Sequence, residues 1–248
     1  MNRYLSRRQF VQSSLALGVF PLSTMIHAPT NQPLHVVCIG AHPDDPETGC
    51  GGTLIRFSNA GHRVTVIYLT NGDSGVKGKS LQEAAAIRVN ESEKACEIMK
   101  ARPVFVGQVN GHTVVDNDLY DKISRLLTDE KPDILFTHWP IDSHKEHMAT
   151  FSLTYRAYIQ SDAQYPLYFY EVCTGRQTQN FQPTEYVDIS DVREQKIDAV
   201  CCHESQGFNR EKYYRIDHGL MDDFRGLTIR VKAAEAFVKA LNSSNTMI

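Results

Sequence analysis

The sequence predicts an α/β fold, a three-layer sandwich with a mostly parallel central sheet. Two observations predict it: short apolar runs rich in Val, Ile, Leu, Phe and Tyr recur after residue 33, and segments of helical period separate them. Alternation of that kind builds a parallel sheet with helices on both faces. A third observation concerns chemistry. Two clusters of imidazoles and carboxylates directly follow two of the apolar runs, and right-handed crossovers carry the ends of such strands to one rim.

Strands are expected over 35–40, 63–69, 103–106, 133–136, 166–171 and 185–188, as runs short and apolar enough to be buried on both faces. Helices are expected over about 50–60, 80–100, 117–130, 143–159 and 190–201. Thr48-Gly49-Cys50-Gly51-Gly52 after the first strand resembles a nucleotide loop only superficially. It lacks the GxGxxG order, and two carboxylates would face the phosphates, so its glycines are read as permitting close helix–sheet packing. Ser143 and Glu146 read as N-cap and N3 of a capping box, which starts a helix there. Tyr165, Tyr168, Phe169 and Tyr170 offer sugar-stacking faces, though strand residues of this type usually pack into a core.

A chain of 248 residues, 42% apolar and 22% charged, has the composition of a globular protein with a full core. A net charge of −3 gives no footprint for nucleic acid. No internal repeat or low-complexity run is present. The first residues differ from the rest. Ser6-Arg7-Arg8-Gln9-Phe10-Val11 resembles a twin-arginine export signal, Ser13 to Thr24 is mildly apolar, and residues 1–28 hold no acidic side chain. That apolar stretch falls short of the about 20 residues a membrane span needs. Residues 1–28 are therefore expected to be a signal peptide and 29–248 a single domain, exported to the periplasm or beyond, with no membrane span in the mature chain. Six cysteines, at 38, 50, 96, 173, 201 and 202, show no CxxC spacing, which argues against a thiolate metal knuckle. Cys38 and Cys96 read as core residues, and Cys201-Cys202 as half-buried thiols.

The first cluster is Ala41-His42-Pro43-Asp44-Asp45-Pro46-Glu47; the second runs from His138 to His147. A catalytic zinc takes three protein ligands and leaves one position for water. His42 and Asp45, three apart across a turn, can face one ion, and His147 is the natural third donor. His144 is its i, i+3 neighbour and stands beside the metal. Asp44 is then free to act as base on a bound water and to return the proton to the departing amine. His144 is placed to support the oxyanion. Among other histidines, His62 reads as solvated, His112 and His218 as loop residues, His138 as near the metal but less well aimed, and His203 as part of a polar pocket wall.

Together these residues resemble the PIG-L/LmbE-like family of zinc-dependent N-deacetylases. The resemblance rests on Ala41-His42-Pro43-Asp44-Asp45 and His144-x-x-His147. It extends through Gly51-Gly52-Thr53, Thr70-Asn71-Gly72-Asp73-Ser74-Gly75, the helix from Arg88 to Glu97, and His203-x-Ser205-Gln206. It implies a Rossmann-like sandwich with one Zn2+ per chain held by His42, Asp45 and His147, although other divalent metals suit such a set. It also implies Asp44 as general base and His144 as oxyanion support. Glu146 fills the place of a family Asp that tunes the oxyanion histidine. Arg88 matches an arginine lining the family's substrate pocket; its alternative is a surface ion pair with Glu91. The commonest family motif has Glu straight after the two aspartates, whereas here Pro46 intervenes before Glu47.

The expected function is removal of acetyl from an N-acetylated amino sugar or N-acetylglucosamine conjugate. The rival readings are a metal-dependent amidase for another acyl group, a non-catalytic sugar-binding protein and, more distantly, a dinucleotide oxidoreductase. The expected partner is the N-acetyl amino-sugar substrate, with homo-oligomerisation left open.

Overall fold

The structure is a computed structural model, which describes residues 32–161, 165–215 and 218–240. The expected signal peptide, residues 1–28, lies outside the described residues.

Five strands and four helices alternate first: β1 (His35–Gly40), α1 (Asp45–Asn59), β2 (Arg63–Thr70), α2 (Leu81–Met99), β3 (Arg102–Gln108), α3 (Asn117–Glu130), β4 (Ile134–His138), α4 (Lys145–Gln160) and β5 (Leu167–Tyr170). Then come β6 (Glu185–Asp188), α5 (Arg193–Cys201), a 3-10 turn (Glu204–Gln206), α6 (Arg210–Arg215), α7 (His218–Ile229) and β7 (Ala234–Lys239). The seven strands form one sheet in the order β3-β2-β1-β4-β5-β7-β6. β1 to β5 are parallel, and only β7 runs against its neighbours.

Side-chain alternation explains the three layers. On β1, Val36 and Cys38 pack into one core with Leu54 of α1, Met99 of α2 and Ala199 of α5. Val37 and Ile39 point the other way, onto Leu119, Ile123 and Leu127 of α3 and Leu153 of α4. Tyr168 and Tyr170 are fully buried in the first core, and Phe169 is buried in the second, so these three rings serve packing. Capping sets the helix starts: Ser80 accepts from Glu83 N–H at 3.3 Å before α2, and Asp116 from Leu119 N–H at 2.9 Å before α3.

Five elements depart from expectation, and two of them, α6 and α7, lie where no element was expected. α1 starts at Asp45 rather than near residue 50. Pro46 precedes the expected start, yet Pro costs no helix hydrogen bond in a first turn. The glycines bring α1 close to its neighbours: a Cβ on Gly52 would stand 2.8 Å from Ile189 Cγ2. Ser143 is not the cap of α4. His144 occupies that position, its side chain accepting from Glu146 N–H, and its own N–H donates to Asp142 Oδ1 at 2.8 Å. β7 was not foreseen because Ala234, Glu235, Ala236 and Lys239 favour helix; pairing with both β5 and β6 overrides that preference.

The strand order reverses between β1 and β4, which are hydrogen-bonded neighbours with Ile39 opposite Thr137. Ligands in open α/β sheets bind at such a switch point, beyond the carboxyl ends of the strands. Both clusters hang from those two strands.

Candidate active site

The chain leaves β1 at Gly40 and enters α1 five residues later. His42 stands on that connection and Asp45 is the first helical residue. The Asp45 Oδ2 accepts the His42 backbone N–H at 2.7 Å, so the turn closes on its own carboxylate. β4 and the start of α4 supply His138, Asp142, His144, Glu146 and His147.

Two imidazoles converge on one carboxylate. His42 Nδ1 lies 3.0 Å from Asp45 Oδ2, and His147 Nε2 lies 3.2 Å from Asp45 Oδ1. Behind each ring stands another acid. His42 Nε2 is 2.9 Å from Glu146 Oε2, and His147 Nδ1 is 3.2 Å from Asp142 Oδ1. Each ring thus sets one nitrogen beside a buried carboxylate, by a hydrogen bond for His42 and by an ion-pair contact for His147, and turns the other towards Asp45. That is how ligating histidines are oriented and made more basic. Donors held at about 2.0–2.1 Å on one tetrahedral ion stand roughly 3.3 Å apart, close to the spacing found here. Among the described residues, the donor atoms of His42, His144 and His147 lie within 4.8 Å of one another, as do those of Asp45, His138 and His147. The residues present fit a divalent cation.

Electrostatics agree with that fit. Burial works against charge on His42 and His147, yet the Asp45 carboxylate outweighs it and lifts them to about 9 and about 10. Burial likewise opposes charge on Asp45, but His147 and His42 hold it well below the usual range. The pocket floor favours positive charge. His138 is different. Its Nε2 accepts the Ala41 N–H at 3.0 Å, which uses the lone pair a metal would need, and burial pushes it down to about 4. Its ring stacks on His147, with centroids 4.2 Å apart. It is a neutral brace for the His147 ring.

Asp44 is held at φ 111°, where non-glycine residues seldom sit. Arg88, 3% exposed, donates from Nη2 to Asp44 Oδ2 at 3.1 Å and to the Pro43 carbonyl. Burial raises the Asp44 carboxyl, against the pull of Arg88. Arg88 therefore faces the site, and Glu91 instead accepts from Ser205. His144 adjoins the pair: its ring is 4.6 Å from that of His42 and 4.8 Å from that of His147. Burial lowers its pKa. Above the floor opens a cavity of about 640 Å³, lined by His42, Asp44, Asp45, Arg88, His144 and His147 and walled by Asn110, Gln177, Gln206 and Phe208.

Several expectations need correction. The Glu146 carboxylate neither closes a capping box nor touches His144. It accepts from Gly111 N–H at 2.9 Å and Thr113 Oγ1 at 2.7 Å, and it backs His42. His62 is buried, its Nδ1 accepting the Leu34 N–H at 3.2 Å. His218 is buried at the start of α7 and lines the cavity. Glu47 is fully buried and takes the Asp44 N–H at 3.2 Å, so the inserted Pro46 leaves it at the loop. Asp142 was overlooked; a carboxylate five residues before His147 was its only signal.

Comparison with known proteins agrees with the motifs. The family model PIG-L, described as GlcNAc-PI de-N-acetylase, matches residues 37–158. A diacetylchitobiose deacetylase of Thermococcus kodakarensis is 28% identical over 200 residues, covering 75% of this chain and 74% of that protein. The solved N,N'-diacetylchitobiose deacetylase of Pyrococcus horikoshii superposes with a TM-score of 0.74 at 23% identity, over 96% of this chain and 95% of that one. A 4-carboxy-2-hydroxymuconate hydratase of Pseudomonas putida shares the fold at a TM-score of 0.70 and 17% identity, covering 87% of this chain and 99% of that one. Fold alone therefore does not fix the reaction. The match over both clusters marks residues 37–158 as a segment of the PIG-L family type, set in the fold of the solved relatives.

Proposed function

We propose that the protein is a metal-dependent hydrolase that removes acetyl from an N-acetylated amino sugar or its conjugate. One observation carries the reading: two imidazoles, each backed by its own carboxylate, turn their remaining nitrogens to Asp45 beside the half-buried Asp44. The deacetylase names of the relatives support the substrate class.

His42 through Nδ1, Asp45 through its carboxylate and His147 through Nε2 would hold the ion. Zinc suits these nitrogen and oxygen donors, as do other divalent metals. When bound, the ion supplies Lewis acidity for the acyl oxygen and for the attacking water. Asp44 takes the proton from that water. The carboxyl then returns it to the amine as the C–N bond breaks, so protons balance over the turnover. Arg88 keeps the Asp44 carboxyl on the pocket side. His144 Nδ1 accepts the Glu146 N–H at 3.3 Å, which leaves the ring proton on Nε2. That N–H donates to the oxyanion of the tetrahedral intermediate. Acetate release from N-acetylglucosamine and diacetylchitobiose tests the reading. Release that stops on chelation and returns with metal is expected; a metal-loaded protein inert towards both sugars contradicts it.

We also read the chain as exported, on the twin-arginine-like run Ser6 to Val11 and the acid-free stretch to residue 28. Cell fractionation with the mass of the mature N-terminus tests this. A processed chain outside the cytosol is expected, and a full-length cytosolic chain contradicts it. Among the described residues no helix is long and apolar enough to cross a membrane.

A further inference from the structure

Asp44 performs the proton transfers proposed above, and its backbone sits in a region that non-glycine residues avoid. The contacts that hold it there run through a second buried acid. The Asp44 N–H donates to Glu47 Oε2 at 3.2 Å. Its carbonyl accepts from Thr48 N–H at 3.0 Å and Thr48 Oγ1 at 2.9 Å. Glu47 is fully buried, and its Oε1 accepts the Tyr68 hydroxyl at 2.5 Å. His203, also fully buried, places Nε2 3.3 Å from the same oxygen. The geometry of that contact falls short of a hydrogen bond, and among the described residues His203 Nδ1 has no hydrogen-bond partner either.

A buried ring with unmade hydrogen bonds costs free energy, so its place in the core calls for an explanation. The segment that carries it is fastened two and three residues further on. Ser205 donates from N–H and Oγ to the Glu91 carboxylate, at 2.7 Å each, and Gln206 Nε2 donates to the Gly75 carbonyl at 3.0 Å. Glu91 lies one turn after Arg88 on α2. The same helix therefore grips Asp44 twice: directly through Arg88, and indirectly through Glu91, Ser205, His203 and Glu47. This gives the His203-x-Ser205-Gln206 run a physical task that the reaction scheme leaves unassigned.

We propose that His203 and Tyr68 are positioning residues that fix Asp44 through Glu47, with Glu91 clamping the 203–206 segment so that His203 stays in place. The proposal rests on the role given to Asp44 above. A purely structural account would have these groups neutralise one another in the core without bearing on the base.

The test uses the metal-loaded protein with His203→Gln, Glu47→Gln and Tyr68→Phe. Metal content, kcat and KM for acetate release, and a crystal structure are measured for each. Tyr68→Phe removes one hydroxyl and is the variant least able to disturb folding. The expected result is full metal content, unchanged KM and a kcat lower by about 10²-fold in His203→Gln, as a displaced catalytic group produces. Tyr68→Phe should lower kcat less, and Asp44 should leave the left-handed region in the crystals. Unchanged kcat with only a lower melting temperature would overturn the proposal, as would loss of metal in step with activity. Should the wild type release no acetate at all, the functional reading fails by itself. The crystals still decide the positioning claim, which is overturned if Asp44 keeps its backbone conformation in all three variants.

Discussion

Two buried charge clusters in this molecule use similar ingredients to opposite ends. One joins Lys196 to Asp222 and Glu235, with Nζ–O distances of 2.9 and 2.7 Å. Tyr213 hydroxyl donates to Asp222 at 2.5 Å, and Glu235 also takes the N–H groups of Gly52 and Thr53. The space beside it is about 20 Å³, no more than a water molecule fills. The other gathers His42, Asp45 and His147 under a cavity of about 640 Å³. In the first, one cation is shared by two carboxylates whose oxygens also take a hydroxyl and two backbone N–H groups, so the ring of contacts is closed. In the second, no lysine or arginine among the described residues meets Asp45, and two ring nitrogens point at its shared carboxylate beneath open space. Burial with closed partners makes a strut between α1, α5, α7 and β7. Burial with open donors beneath a cavity makes a site.

That contrast can be broken by mutation, and the largest effect belongs to the open cluster. Asp45→Ala should abolish metal binding and turnover together while the chain stays folded, as read by elemental analysis and circular dichroism. Metal retained at one per chain would put the ion elsewhere. Asp44→Asn should keep the metal and lower kcat by about 10²- to 10⁴-fold, the range general acid–base groups supply. An unchanged kcat in that variant removes Asp44 from the proton transfers.

The closed cluster should answer in stability instead. Lys196→Met leaves two buried carboxylates without their cation, which costs about 3–5 kcal/mol in chemical denaturation. Metal content per folded chain should not change. Burial already raises the Asp222 carboxyl, and Glu235 beside it adds to that rise. Without Lys196 the folded pKa climbs further above its unfolded value, so the folded state binds the extra proton. The deficit of the variant should therefore shrink as pH falls from 7 towards 5. A deficit independent of pH would mean the acids are not facing each other uncompensated. The smallest effect sharpens the comparison at its edge. Glu146→Gln should weaken metal affinity about 10- to 100-fold by disturbing the proton position on His42, as loss of a ligand's backing group does. Competition with a chromophoric chelator reads it, and unchanged affinity would reduce Glu146 to a tether for the 111–113 loop.

Legibility in the sequence follows the same division. β1 to β5 with α2, α3 and α4 were readable to within about two residues, because unbroken apolar runs and helical periods are local signals. β7, α6 and α7 were not. Ala234 to Lys239 has helix-forming composition, and its strand state comes from β5 and β6, which are distant in sequence. His42, Asp44, Asp45, His144 and His147 were legible as a set, since strand ends in a parallel sheet share a rim and the structure does bring the five together. The carboxylates behind the rings were not assignable. Glu146 looked like a helix-capping residue and, by resemblance, a partner of His144; only the fold shows its carboxylate reaching His42 and the 111–113 loop. His203 lies some 160 residues from Asp44 in the chain, and no local pattern announces that Glu47 links them.

The most direct test of the central claim is one paired measurement: metal per chain and acetate released from diacetylchitobiose, for wild type, Asp45→Ala and Asp44→Asn. The account predicts one metal with release in the wild type, neither in Asp45→Ala, and metal with little release in Asp44→Asn. Equal metal content in all three, or release that persists in Asp45→Ala, would contradict it.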